Sequence, residues 1–202
     1  VSRIFIVGSG TVGTATGRAL LQAGHQVTFV DADPRRVAEL VTAGLDARPV
    51  LHLDSEPEAF VFLCLPTPMV DDECRLTDLE AGILQVGLAL AGAEARHTVV
   101  VRSIVPPGAI EHLIRPLLEL YSAKQEGQAF HLALSPEFLA AELGASAVSA
   151  IPRSRSELRI AGLAPAPLSF SPEHNAPPLP RRIRVPRPAG LPHIPRQRVH
   201  HS

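Results

Sequence analysis

The chain has 202 residues, enough for one domain plus an appendage or for two very small domains. Hydrophobic residues make up 46% and charged residues 19%, so a sizeable core can be buried. A formal net charge of -1 gives no global electrostatic case for nucleic acid; no apolar run reaches the roughly 18 residues of a membrane span; and two cysteines outside any CxxC or metal-type cluster point to a reducing, cytoplasmic setting with no metal site.

The N-terminus runs straight into a strand pattern without the basic region or cleavage site of a signal peptide. Arg3 to Val7 is apolar at four of its five positions and reads as a buried strand. Gly8 to Gly13 reads as a loop, and Thr14 to Ala23 as a helix closed by Gly24. Gln26 to Val30 is a second strand. Pro34, suited to a first helical turn, opens a helix to Ala43 that Gly44 closes. Ala59 to Leu65 is a strand, followed by a turn at Pro66-Thr67-Pro68. Thr77 is expected to cap a helix reaching about Ala91, with Glu80 at the capping-box position. Thr98 to Arg102 is a strand, Ile110 to Tyr121 a helix, and His131 to Leu134 a last strand. Strand alternating with helix predicts an α/β fold, a Rossmann-type doubly wound parallel sheet.

Composition shifts near Ile151, which divides the chain into a Rossmann domain over residues 1–150 and a Pro/Arg-rich tail over 151–202. Ten of the 20 prolines follow Leu163, and that density removes backbone donors and fixes φ. The tail is expected to be largely disordered or polyproline-like. It reads as a basic linker, a nucleic-acid arm, or a non-native reading frame past a lesion in the gene.

Gly8-Ser9-Gly10-Thr11-Val12-Gly13 matches GxGxxG between a strand and a helix, the context of a dinucleotide fingerprint. Gly8 permits the tight turn, Gly10 lets the backbone approach a pyrophosphate, and Gly13 allows helix and strand to pack closely. Thr11 and Val12 belong to the helix N-terminus that receives the phosphates. Asp31, roughly 20 residues on, is placed to accept adenosine ribose hydroxyls, which favours NAD over NADP. Arg36 counters that preference, since an arginine there accommodates a 2′-phosphate. Arg35 is read as a solvated helix residue. The competing explanation is a glycine-rich turn in some other α/β fold.

Three further segments lie just past strand ends, the edge where open α/β sheets bind ligands. They are Phe62-Leu63-Cys64-Leu65-Pro66-Thr67-Pro68, then Val99-Val100-Val101-Arg102-Ser103-Ile104-Val105-Pro106-Pro107-Gly108, then Ser135-Pro136-Glu137-Phe138-Leu139. Pro66, Thr67 and Ser103 join the candidate cofactor site. The Thr67 hydroxyl suits a ribose, its plainer role being that of a turn residue. With the fingerprint and Asp31, these segments resemble the UDP-glucose/GDP-mannose dehydrogenase family over about Arg3 to Gly162.

The resemblance implies NAD as cofactor, a nucleotide sugar as substrate and oxidation of its C6 alcohol to a carboxylate in two hydride transfers. It implies a homodimer, whose dimer helix lies beyond this chain. It also implies a cysteine nucleophile in a Gly-x-Cys-x-Pro-Lys-type motif, with a lysine and an asparagine at the oxyanion. That motif does not occur in this sequence, so the catalytic second half is expected to be missing and the chain inactive alone. Cys64 reads as a core residue, and nothing near Cys74 in sequence activates its thiolate.

Glu137 and Glu142 are the catalytic candidates. Glu137 occupies the Pro-Glu-Phe position, and Glu142 matches a second family glutamate only with one residue inserted. Glu137 also reads as an acid at a helix N-terminus. Ile104 stands where the family usually has a threonine that positions a water, and isoleucine has neither donor nor acceptor. The Gly44 to Phe60 segment is short, without the usual Glu-Pro-Gly loop. Two other functions compete: a non-catalytic NAD-binding module, and a Rossmann dehydrogenase of the β-hydroxyacid type.

Overall fold

The computed structural model describes residues 1–71 and 73–135. The expected tail, Glu137 and Glu142 lie outside the described residues.

Strand β1 (Arg3–Val7) leads through the fingerprint into helix α1 (Thr11–Gln22). Strand β2 (Gln26–Val30), helix α2 (Pro34–Thr42) and the short strand β3 (Ala47–Arg48) follow. Next come β4 (Ala59–Leu63) and a small hairpin of β5 (Met69–Val70) and β6 (Glu73–Cys74). Helix α3 (Thr77–Gly92), strand β7 (His97–Val101), a π-helical turn at Ile110–Ile114, helix α4 (Arg115–Ser122) and strand β8 (Phe130–Leu134) complete the described part.

The main sheet has six strands in the order β3-β2-β1-β4-β7-β8, all parallel. This is the doubly wound order in which β1 stands at the point where chain direction reverses. Parallel strands covered on both faces should be apolar throughout, and β7 is buried at every position. Along β1, Ile4 and Ile6 pack beneath α1 and α2 with Leu20, Phe29 and Leu40. Phe5 and Val7 face the other way, into a cluster with Leu79, Ile83 and Leu90 of α3 and Leu118 of α4.

Several boundaries differ from the sequence reading. Helix α1 begins at Thr11, not Thr14, because the Thr14 N–H already donates to the Gly10 carbonyl and closes the first turn inside the fingerprint. Strand β4 stops at Leu63, since the Leu65 N–H donates to the Ser103 hydroxyl instead of continuing the ladder. Thr77 is not a cap: it is the first helical residue, Leu76 precedes it, and no side chain caps that end. The helix expected from Ile110 starts as a π-turn. Pro116 lacks the N–H that an α-turn needs there, and the Arg115 N–H reaches back five residues to Ile110.

Two features were not anticipated: the β5–β6 hairpin, and β3 within the short Gly44–Phe60 segment. That segment crosses the sheet without a helix, and between β3 and β4 it buries Leu51 and Leu53. Arginines complete the cover. The Arg3 guanidinium lies 4.5 Å and that of Arg48 5.8 Å from the centre of the Phe5 ring, and Arg3 pairs with Glu56 at 3.0 Å.

Candidate functional site

The register aligns Val30, Val7, Leu63, Val101 and Leu134 across the sheet. The next residue of each strand therefore falls in one row along the carboxyl edge: Asp31, Gly8, Cys64, Arg102 and Ser135. Backbone hydrogen bonds extend along this row, from Gly8 to Val30, Cys64 to Val7, Arg102 to Leu63 and Ser135 to Val101. The fingerprint, the first two sequence motifs and Ser135, the first residue of the third, thus meet at a single sheet edge. Between them opens a cleft of about 800 Å³, within the size range of small-molecule sites, lined by Gly10, Thr11 and Val12 on one side and Pro66, Thr67 and Ser103 on another.

The three fingerprint glycines do separate jobs. Gly8 has φ +91°, and a Cβ there would meet the Cys64 carbonyl oxygen at 2.7 Å. A Cβ on Gly13 would overlap the Gly8 carbonyl oxygen. A Cβ on Gly10 would meet nothing of the chain within 4 Å, although Gly10 is exposed at the cleft wall. Of the three fingerprint glycines, Gly10 alone has open space where a side chain would stand, on the wall of the cleft. Thr11 and Val12 begin α1 there, so the positive end of the helix and its first-turn N–H groups bound the cleft.

Asp31 is half-buried at the end of β2. Its carboxylate accepts the Ser9 N–H at 2.8 Å and the Asp33 N–H at 3.0 Å. Arg36 reaches back from α2 to the same loop. Its Nε donates to the Ser9 carbonyl at 2.8 Å, Nη2 to the Thr14 hydroxyl at 2.8 Å, and Nη1 to Glu39 at 2.7 Å. Arg36 is therefore engaged with the fingerprint itself.

The opposite wall is held by the end of β7. The buried Ser103 hydroxyl accepts the Leu65 N–H at 3.0 Å and donates to the Leu65 carbonyl at 2.8 Å, fixing the approach to Pro66-Thr67-Pro68. The Thr67 hydroxyl donates to the Ile104 carbonyl at 2.6 Å, so its proton is committed and its lone pairs face outward as acceptors. Ile104 itself is 56% exposed at the cleft, and Met69 beside it 65%. This end of the cleft is apolar.

Arg102 was quoted in a motif but not singled out from sequence. It is buried at the cleft, where its guanidinium donates to the Thr16 hydroxyl at 3.1 Å and to the Ser135 hydroxyl at 3.3 Å. It ties α1 to the chain leaving β8. A cation directly after the apolar run Val99-Val100-Val101 was the available signal. Cys64 is buried as expected, and burial pushes its thiol up to about 12, against a small opposing pull from Arg102. Cys74 is partly exposed in the cleft, its Sγ 3.8 Å from the Thr67 carbonyl.

Comparison with known proteins agrees with this geometry. Residues 52–151 match the family model described as UDP-glucose/GDP-mannose dehydrogenase family, NAD binding domain, and residues 4–59 match that of ketopantoate reductase PanE/ApbA. GDP-mannose 6-dehydrogenase of Azotobacter vinelandii is 32% identical over 68% of this chain and 36% of its own length. UDP-glucose 6-dehydrogenase AglM of Haloferax volcanii is 31% identical over 66% of this chain and 36% of its own. Among solved structures, GDP-mannose dehydrogenase from Pseudomonas aeruginosa superposes with a TM-score of 0.59 at 28% identity, covering 68% of this chain and 36% of that one. A UDP-glucose dehydrogenase from Pyrobaculum islandicum gives 0.56 at 27%, covering 69% and 36%. The chain thus spans about a third of the length of the relatives it matches.

Proposed function

We propose that the described domain is the NAD-binding domain of a member of the UDP-glucose/GDP-mannose dehydrogenase family, which it matches in sequence and fold, and that it binds NAD in the cleft at the carboxyl edge of the sheet. The observation that carries this proposal is the row Asp31–Gly8–Cys64–Arg102–Ser135, which brings fingerprint, acid and both proline-containing turns to one edge. The pyrophosphate lies against Gly10, Thr11, Val12 and Gly13 at the start of α1. The adenosine ribose lies by Asp31, next to Arg36. The Pro66-Thr67 wall and Ser103 bound the other half of the cofactor. Bound NAD supplies a hydride acceptor; the protein residues supply orientation and shelter.

In this function the domain is the cofactor half of a cytoplasmic nucleotide-sugar 6-dehydrogenase. The sugar is oxidised only where an activated thiolate is also present, with Glu137 and Glu142 as the candidate catalytic acids of this chain. Cys64 is buried with its thiol raised to about 12, and Cys74 lies outside any Gly-x-Cys-x-Pro-Lys-type motif, so the 202-residue chain by itself binds the cofactor without turning over the sugar. Calorimetric titration of the whole chain with NAD tests the proposal. Binding in the micromolar range, weakened in Gly10→Ala, is expected; no heat and no thermal shift at millimolar NAD refutes it.

A further inference from the structure

Arg36 is the cation placed to meet a 2′-phosphate, yet the structure shows it occupied. Its Nε and Nη2 hold the fingerprint through the Ser9 carbonyl and the Thr14 hydroxyl. That leaves Nη1 as the arm facing outward, and Nη1 is held by Glu39, one helical turn further along α2, at 2.7 Å. Recognition of a phosphate by arginine works through two neighbouring N–H groups presented as a fork. Glu39 takes one side of that fork. It also sets the local charge: from Asp31 to Glu39 the chain carries three carboxylates, Asp31, Asp33 and Glu39, against two guanidiniums, Arg35 and Arg36. A dianionic 2′-phosphate arriving at Asp31 meets a net negative segment.

We propose that Glu39 is a specificity-determining residue of this cleft: it occupies the Arg36 guanidinium and so withholds from a 2′-phosphate the cation that shares Ser9 with Asp31. The inference rests on the assignment of the cleft to NAD and deepens it. Discrimination against NADP is divided between a carboxylate that repels the phosphate and a second that disarms its natural partner. Glu39 contacts neither the fingerprint nor the ribose position, so its effect runs through Arg36.

The test is titration of the full chain with NAD and with NADP, for the parent, Glu39→Gln, Asp31→Ser, the double variant Asp31→Ser/Glu39→Gln, and that double variant with Arg36→Met added. Glu39 is exposed, so the fold should survive its replacement. Glu39→Gln is expected to raise the ratio of NADP to NAD affinity about threefold, the scale of one surface ion pair, and by the same factor again on top of Asp31→Ser. Arg36→Met should erase the gain. A general loosening of the loop would weaken both cofactors alike and leave the ratio unmoved, which would overturn the proposal, as would a gain that survives Arg36→Met. Failure of the parent to bind NAD would overturn the cofactor assignment and this inference together, whereas an unmoved ratio in a chain that binds NAD overturns the inference alone.

Discussion

The Asp31 carboxylate accepts the backbone N–H of Ser9 at 2.8 Å. The acid proposed for the ribose therefore also fixes the loop proposed to face the pyrophosphate. Charge-assisted bonds of this kind contribute about 1.5–3 kcal/mol when partly buried. Asp31→Ala is thus expected to lower stability by about 2 kcal/mol without any cofactor, besides weakening NAD. Urea unfolding of the cofactor-free variant checks this. A change below about 0.5 kcal/mol would mean that the Asp31–Ser9 bond contributes little to the fold.

Gly10 and Gly13 should separate binding from folding. A methyl group on Gly13 collides with the Gly8 carbonyl, backbone against backbone, whereas one on Gly10 meets nothing of the chain. Gly10 has φ −65°, which alanine adopts freely. Gly10→Ala should therefore keep the parent's unfolding midpoint or gain slightly, by up to about 1 kcal/mol, while losing most NAD affinity. Gly13→Ala should lose about 3 kcal/mol or more. Equal loss of stability in both variants would contradict the separate roles of the two glycines.

His97 makes stability depend on pH near neutrality. It is fully buried at the start of β7, and neither ring nitrogen has a hydrogen-bond partner. Burial first, then the charge of Lys124, holds the imidazole below its usual 6.5, while Glu56 and Glu58 pull the other way. The folded state thus binds fewer protons than the unfolded chain just below pH 6.5, and stability rises with pH across that window. The contribution is complete above 6.5 and is lost as pH falls through 6.5 toward the folded value. Glu56, lowered chiefly by its hydrogen bond with Arg3, acts only below its ordinary 4.5. Urea midpoints should fall between about pH 7.5 and 5.5, and His97→Leu should flatten that slope. An unchanged slope in His97→Leu would assign the effect elsewhere.

Much of this was legible before the fold was seen, for a physical reason. Buried parallel strands carry apolar runs, so Ile4 to Val7, Ala59–Leu63 and Val99 to Val101 mark the strands that the sequence places at Arg3–Val7, Ala59 to Leu65 and Thr98 to Arg102, and the turns after them inherit a common edge. The short strand β3 was not legible: two residues carry no periodicity, and its existence depends on Phe29 donating its N–H to Asp46 and Asp31 its own to Arg48. The Arg3 and Arg48 cover over Phe5 was equally hidden, because Arg48 lies 43 residues from the ring in sequence. Arg36 and Ser103 were identified as cofactor candidates, but their backbone-fixing roles depend on contacts 27 and 38 residues away in sequence.

The last prediction concerns chemistry. A reaction that holds an aldehyde-level intermediate covalently needs a nucleophile that is both ionised and reachable. Cys64 is not ionised: it lies in the sheet row at the wall of the cleft, only 7% exposed, with its thiol raised to about 12 by burial. Cys74 lines the cleft with its Sγ 3.8 Å from the Thr67 carbonyl, and no Gly-x-Cys-x-Pro-Lys-type motif surrounds it. Ile104 at the same end of the cleft offers a water no hydrogen bond from its side chain. The whole chain with NAD and UDP-glucose, GDP-mannose or UDP-N-acetylmannosamine is therefore expected to give no steady-state NADH, at least about a thousandfold below a typical turnover of roughly 10 per second. The control is Cys74→Ala, assayed alongside. Turnover near 1 per second or above, on the order expected of working enzymes and abolished in that control, would show that Cys74 serves as the nucleophile after all.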